Sequence, residues 1–266
     1  MMTQSIVEKI AEHLKIGQQQ RIVCCKQGSS TATVSKQDMG VSGYCFRCKK
    51  KIWLPRKNPL TYQELNQIYN ITKQESLVKL PDDFTTDFTE KEDIVWLAKY
   101  GITNDLRQKY NIGYSPKLKR VILPIYNGDG ELKFIQARSN NPKLKPKYIN
   151  TQKVVKPCFI SKRKSYLNKV LIITEDILSA IKAGECYRAL SVLGTSLNDA
   201  AKIHSLKYDI IIIWLDPDEA GLMGAREMYQ ELSLFKDNVF VVECPFEPKE
   251  LSFDEIKTIV EREINR

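Results

Sequence analysis

The stretch that decides the fold is Tyr208–Gly224, YDIIIIWLDPDEAGLMG. Ile210 to Leu215 is an unbroken apolar run of β-branched and aromatic residues. Such a run predicts a strand buried on both faces, hence a central strand of a mostly parallel sheet. Pro217 cannot continue a central strand, so the strand is expected to stop at Leu215. A helix is expected over about Leu222–Leu234. Asp216 and Asp218 then stand at the carboxyl end of a buried strand, the edge where open α/β sheets bind ligands. Carboxylates this close raise each other's pKa unless a cation sits between them. Hard oxygen ligands suit Mg²⁺ or Mn²⁺. The plainer alternative is that Asp216 opens a turn and Asp218 caps the next helix.

A second segment, Val170–Gly184 (VLIITEDILSAIKAG), repeats the pattern. Its apolar run ends in Glu175 and Asp176 and then turns helical. Two parallel strands with acids at their carboxyl ends make one acidic cleft. Between them Leu190 to Leu193 reads as a short strand. It ends in Gly194, Thr195 and Ser196, a turn able to present N–H groups to phosphate. A glutamate, a Gly-Thr turn and then Asp-x-Asp-x-Ala-Gly, in this order, resembles the Toprim domain of topoisomerases and primases. The ITEDILSAIKAG and WLDPDEAG segments are most similar to the primase part of phage primase–helicases. The resemblance implies an α/β fold: a Toprim-like, mostly parallel sheet with flanking helices, preceded by a basic α+β subdomain and a small N-terminal zinc ribbon.

The 266 residues carry a formal net charge of +9, with pI about 9.1. A basic chain around an acidic cleft points to a polyanion such as nucleic acid, although a merely soluble basic surface gives the same charge. No apolar run approaches a membrane span. The N-terminus is an amphipathic helix pattern without a signal-peptide core, so a cytoplasmic protein with no membrane partner is expected. Its Ile6, Ile10 and Leu14 are expected to pack on the next element. Seven cysteines, an odd number, in such a chain argue against a disulfide framework. Cys158, Cys186 and Cys244 read as core residues.

The other four cysteines cluster in the sequence. Cys45 and Cys48 form a CxxC knuckle between expected strands at Thr31–Ser35 and Gly43–Phe46 and a basic run. With Cys24 and Cys25 they resemble a zinc ribbon, in which Zn²⁺ replaces a core too small to fold alone. The adjacent pair departs from the usual spacing, and His13 is an alternative fourth ligand. Tyr44, Phe46, Arg47, Lys49, Lys50 and Lys51 interleave rings and cations. That suits stacking on single-stranded bases and neutralising phosphates, or else a solvated basic hairpin.

Residues 57–82, opening with Pro and basic residues, read as a linker between a domain at 1–56 and the rest. Thr89 and Glu92 form a capping box for a helix to Lys99, ended by Gly101, and Asn104–Tyr110 is a second helix. Asn127-Gly128-Asp129-Gly130 marks a hairpin between strands Val121–Ile125 and Leu132–Ala137. The hairpin, then Ala-Arg, then Pro-Lys-Tyr-Ile-Asn resembles the basic subdomain of primases, placed here at 83–164, with the Toprim domain at 165–266. The resemblance implies that Arg138, Lys145 and Lys147, with Gly194 and Thr195, hold nucleoside triphosphate and nucleic acid. Glu250 stands where the family has an aspartate beside its lysine. Ser179 replaces a frequent Asp. Ser252 and Glu255 are expected to cap the last helix.

The expected activity is therefore synthesis of short RNA primers on single-stranded DNA from ribonucleoside triphosphates. Asp216 and Asp218 would hold Mg²⁺, and Glu175 would be a further ligand or a base. No P-loop sequence occurs, so the resemblance implies a separate replicative helicase as partner. The competing readings are a Toprim nuclease and a non-catalytic nucleic-acid-binding or helicase-recruiting module.

Overall fold

The computed structural model describes residues 2–25, 31–37, 40–56, 78–88, 91–152, 154, 156–162 and 169–265. The chain divides into two compact units, residues 1–76 and 77–266. Most of the expected linker (57–77) and the capping residue Thr89 lie outside the described residues.

In the first unit a helix α1, Gln4–His13, is capped by the Thr3 side chain. It packs on an antiparallel meander of β1 (Gln19–Ile22), β2 (Ala32–Lys36), β3 (Gly40–Cys45) and β4 (Lys51–Pro55). The sequence betrays β2 and β3 because they alternate toward a core. β1 has no fully buried position and β4 alternates only between exposed and half-exposed residues, so neither shows a clear pattern. Of the expected helix face, Ile10 and Leu14 pack against the core while Ile6 is 41% exposed, and Val7 and Ala11 are the buried positions. The core is small, with Met2, Val7, Ala32 and Val34 beside Cys24 and Cys45.

The second unit opens with helices α2 (Lys91–Lys99) and α3 (Asn104–Lys109). Gly101, at φ +70°, makes the turn after α2. A four-stranded antiparallel sheet follows, β5 (Gly113–Ser115), β6 (Arg120–Tyr126), β7 (Leu132–Arg138) and β8 (Tyr148–Asn150). The β6–β7 hairpin turns at Asn127–Gly130, where the Asn127 side-chain oxygen accepts from the Asp129 and Glu131 amides.

The larger sheet contains β9 (Phe159–Ile160), β10 (Val170–Thr174), β11 (Arg188–Ser191), β12 (Ile210–Trp214) and β13 (Val239–Val241). Its order is β13-β12-β10-β11-β9, parallel except for β9. Helices α4 (Ile177–Gly184), α5 (Asp199–Ser205), α6 (Glu219–Leu232) and α7 (Phe253–Ile264) flank it. The apolar run of β12 serves two cores. Ile212 and Trp214 join one cluster, with α4 and α7 residues. Ile211, Ile213 and Leu215 join another, with α5 and α6 residues. Each buried isoleucine stabilises the fold by about 1.5–3 kcal/mol. A strand covered on both faces loses the alternation of a half-buried one, which is why continuity was the signal.

α6 begins three residues earlier than the sequence predicts, because Asp218 caps it by accepting from Gly221 N at 2.8 Å. The last helix, α7, starts in the expected capping box of Ser252 and Glu255. Of the three cysteines read as core, Cys186 is buried and Cys158 and Cys244 are partly so.

Candidate active site and metal centres

The acidic cleft lies at the carboxyl ends of β10 and β12. Pairing of Thr174 with Trp214 sets the following acids side by side. Just beyond β13, Trp214 Nε1 donates to the Phe246 carbonyl at 3.1 Å, which pins the segment carrying Glu247. Oxygens of Asp176, Asp216 and Glu247 consequently lie within 4.8 Å of one another, a group able to hold a metal ion.

Asp176 caps α4. It accepts from Leu178 N at 2.8 Å, from Ser179 N at 3.2 Å, from Ser179 Oγ at 2.9 Å and from Lys249 Nζ at 2.8 Å. Burial pushes its carboxyl up, but Lys249 and Ser179 outweigh that and hold it below the usual range. Lys249 also contacts the Glu247 carboxylate. Glu175 is in the opposite condition. Its Oε2 is buried without a hydrogen-bond partner. Burial, then the charges of Asp216, Asp218 and Asp176, push it up to about 7. Asp216 is raised too, by burial and by Asp176 and Asp218, against the pull of Lys249 and Lys147. A carboxylate oxygen orphaned among raised acids is the condition a divalent cation relieves. The donor set therefore fits Mg²⁺ or Mn²⁺.

The expected acids thus separate. Asp216 belongs to the converging group. Glu175 borders it, and Asp218 has its side chain engaged as a helix cap. Glu250 caps the turn before α7 by accepting from Glu247 N at 3.1 Å, so Glu247 rather than Glu250 enters the group. Asp176 and Glu247 were not among the expected ligands, yet they join Asp216 in the converging group. The signal for Glu247 was its place in CPFEPKE, in the segment between β13 and α7, with a glutamate three residues on.

The glycines of the DPDEAG segment have a steric origin. A Cβ at Gly221 would collide with the Asp216 carbonyl, and one at Gly224 would come within 2.8 Å of Thr195 Cβ. The start of α6 therefore lies directly on both loops of the cleft. The Gly194–Thr195 turn behaves differently from expectation. Gly194 N–H donates to the Glu175 carbonyl at 3.1 Å, so it is not presented outward to phosphate. The turn is instead joined by Lys156, whose Nζ donates to the Leu193 carbonyl at 3.0 Å. Burial lowers the Lys156 ammonium and Glu175 opposes that, which places this lysine near the acids. Lys156 gave no motif in the sequence.

On the basic side, Arg138 at the end of β7 is only 8% exposed. Its guanidinium lies 4.5 Å from the Trp96 ring and 5.4 Å from the Tyr148 ring, and its Nε has no partner. Lys147 is lowered by burial and by Arg138 and Lys249, while Asp216 and Asp176 pull it up. Arg138 and Lys147 therefore share the cleft with the acids. Nothing links Lys145 to them. Arg120 donates to the Pro146 carbonyl at 2.8 Å and so supports the segment that carries Lys147 into β8.

In the first unit, sulfurs of Cys24, Cys25, Cys45 and Cys48 lie within 4.8 Å of one another. His13 is not part of this group. The Cys24–Cys48 and Cys25–Cys45 sulfurs are 3.7 and 3.6 Å apart, and all four thiols are free. Amides of Cys48 and Arg47 donate toward Cys45 and pull its thiol down to about 6. The neighbouring Cys48 and Cys45 sulfurs push Cys25 up to about 12. Four sulfurs this close, with amides aimed at one of them, suit a tetrahedral soft cation. Next to Cys45 in the sequence, Phe46 is 61% exposed and packs edge-on to Tyr44 at 5.0 Å, and Trp53 on β4 is 50% exposed.

Residues 145–244 match the Toprim domain. No curated protein matches the chain in sequence. Solved structures do. The zinc-binding and RNA polymerase domains of the Aquifex aeolicus primase are 17% identical with a TM-score of 0.56, over 97% of this chain and 82% of that one. A DNA primase domain from Pseudomonas aeruginosa is 17% identical at TM-score 0.54, over 76% of this chain and 78% of that one. A DnaG primase catalytic domain bound to ssDNA is 15% identical at TM-score 0.54, over 76% and 80%. The chain carries a Toprim domain at residues 145–244, and its fold is that of the bacterial primases.

Proposed function

We propose that the chain is a DNA primase that makes short RNA primers on a single-stranded DNA template. The observation that carries this reading is the cleft itself: Asp176, Asp216 and Glu247 converge within 4.8 Å, Glu175 has an orphaned oxygen, and Arg138 and Lys147 share the cleft. Acids alone would repel a triphosphate, and basic groups alone would not activate it. A nucleotidyl transferase needs both.

Asp216, with Glu175, would hold Mg²⁺ or Mn²⁺, beside the Glu247 carboxylate that Lys249 contacts. Bound there, the metal supplies Lewis acidity at the α-phosphate and charge for the pyrophosphate leaving group. Arg138 is fixed between two rings, so its fork is positioned before substrate arrives. It and Lys147 neutralise triphosphate oxygens, and Lys156 is a third cation for the same phosphates. The first unit would hold Zn²⁺ on its four thiolates and stack template bases on Phe46 and Trp53. The ssDNA-bound primase of the same fold supports single-stranded DNA as the template.

The test is incubation with mixed-sequence single-stranded DNA, four ribonucleotides and Mg²⁺, with Asp216→Ala in parallel. Short RNA from the wild type only is the expected result. DNA shortened in the absence of nucleotides would replace this reading with the nuclease.

A further inference from the structure

The acidic cleft already contains a cation. Lys249 stands in the 3₁₀ turn Pro248–Glu250, and its side chain is 6% exposed. Its Nζ is 2.8 Å from Asp176 Oδ2 and in contact with Glu247 Oε2. The Tyr100 ring lies 5.6 Å away. Asp176 and Glu247 are two of the three acids whose oxygens converge with Asp216. An ammonium this buried is stable only when paired, and it is a compact point charge that substitutes sterically for a small ion.

The pairing is lopsided. Asp176 is saturated by Lys249, Ser179 and two amides, whereas Glu175 Oε2 has no partner. We infer that Lys249 is a built-in cation of the cleft: it takes the place of one divalent ion and limits the site to a single metal, held on the Asp216 and Glu175 side. This rests on the cleft being a metal site. The positive charge beside the remaining position also weakens that metal, since like charges a few ångströms apart near a protein surface repel strongly.

The experiment is a Mn²⁺ titration of the full chain followed by electron paramagnetic resonance, which counts bound ions without any turnover. Wild type, Lys249→Arg, Lys249→Met, Lys249→Gln and Asp216→Asn are compared, the last giving the background from elsewhere. One Asp216-dependent ion is expected in wild type and in Lys249→Arg. The two neutral variants are expected to gain a second ion and to hold the first about tenfold or more tighter. Lys249→Gln retains a hydrogen-bond donor for Asp176 should Lys249→Met fail to fold. Two Asp216-dependent ions in wild type, or one ion at unchanged affinity in both neutral variants, overturns the inference and leaves the metal site standing. No Asp216-dependent Mn²⁺ in any variant overturns the metal site and the inference with it.

Discussion

The chain gathers potential metal ligands in two places, and the surroundings differ. The four sulfurs of the first unit sit on a core of Met2, Val7, Ala32 and Val34, with Cys24 and Cys45 themselves counted among its buried residues. The acids of the second unit sit at the rim of a sheet whose Leu171, Ile172, Ile173, Ile211, Ile212 and Ile213 are all fully buried. In the first case the ligands are part of the core. In the second the core is complete beneath them, and Glu175 and Asp216 are held against the repulsion of neighbouring acids. A metal in the first place would sustain the fold, and a metal in the second would serve chemistry.

Chelation breaks the comparison most directly. Structural zinc in small domains is worth roughly 10–16 kcal/mol of apparent binding energy, more than so small a core supplies. Removing metal with a strong chelator is expected to expose the amides of residues 1–56 to hydrogen exchange while those of β10 and β12 stay protected. Equal loss of protection in both units would show that the acids also sustain their fold.

Asp216→Asn probes the other half. It keeps the shape and removes a charge from the converging group. Primer synthesis is expected to fall roughly 10²–10³-fold or more, on the scale of losing one transition-state-stabilising group. The thermal midpoint of the metal-free protein is expected to hold or rise, because a repelling charge has gone. A large drop in the midpoint would make Asp216 structural.

Gly221→Ala sharpens the boundary between fold and site. The added methyl meets the Asp216 carbonyl, so α6 must shift. A cost of about 1–3 kcal/mol is expected, read by urea unfolding, together with weaker Mn²⁺ binding. Loss of stability with unchanged Mn²⁺ affinity would mean that Asp216 is not positioned by α6.

Much of this was legible in the sequence, and what was not has physical causes. The IIIIW and LIIT runs and the acids that end them gave the central sheet and Asp216 directly. Arg138 and Lys147 came from the resemblance of the hairpin and its basic continuation to the basic subdomain of primases. Asp218 was legible both ways, and the structure has it capping α6. Glu247 and Lys249 were hidden, because the segment after β13 gives no periodicity and tertiary bonds, Trp214 to Phe246 and Lys249 to Asp176, bring them to the cleft. Lys156 was hidden likewise, since it reaches the Gly194 turn from 37 residues away. Tertiary contacts of this kind leave no local pattern. β4 and β1 escaped because a strand with no fully buried face looks like a loop.

The smallest expected effect concerns acid, which weakens both units for different reasons. Thiolates lose metal as they protonate. The second unit has its own sensor in His204. Burial, with Lys207 and Arg188 nearby, lowers His204 to about 4 from the usual 6.5. Between these values the unfolded chain takes a proton that the native chain refuses, so stability falls as pH drops through 6.5 and levels off near 4. Partial exposure limits the effect to on the order of 1–2 kcal/mol. Glu175 acts in the opposite sense. Its native pKa of about 7 against the usual 4.5 makes stability rise as pH falls through the same window. Asp83, Asp209, Glu131 and Glu255, all held below their usual values, weaken the fold only at lower pH. The difference between wild type and His204→Gln, each unfolded by urea at pH 7.5 and 5.5, cancels the carboxylates and isolates the histidine. The variant should lose less stability on acidification. An identical loss in both would assign the acid sensitivity of the second unit elsewhere.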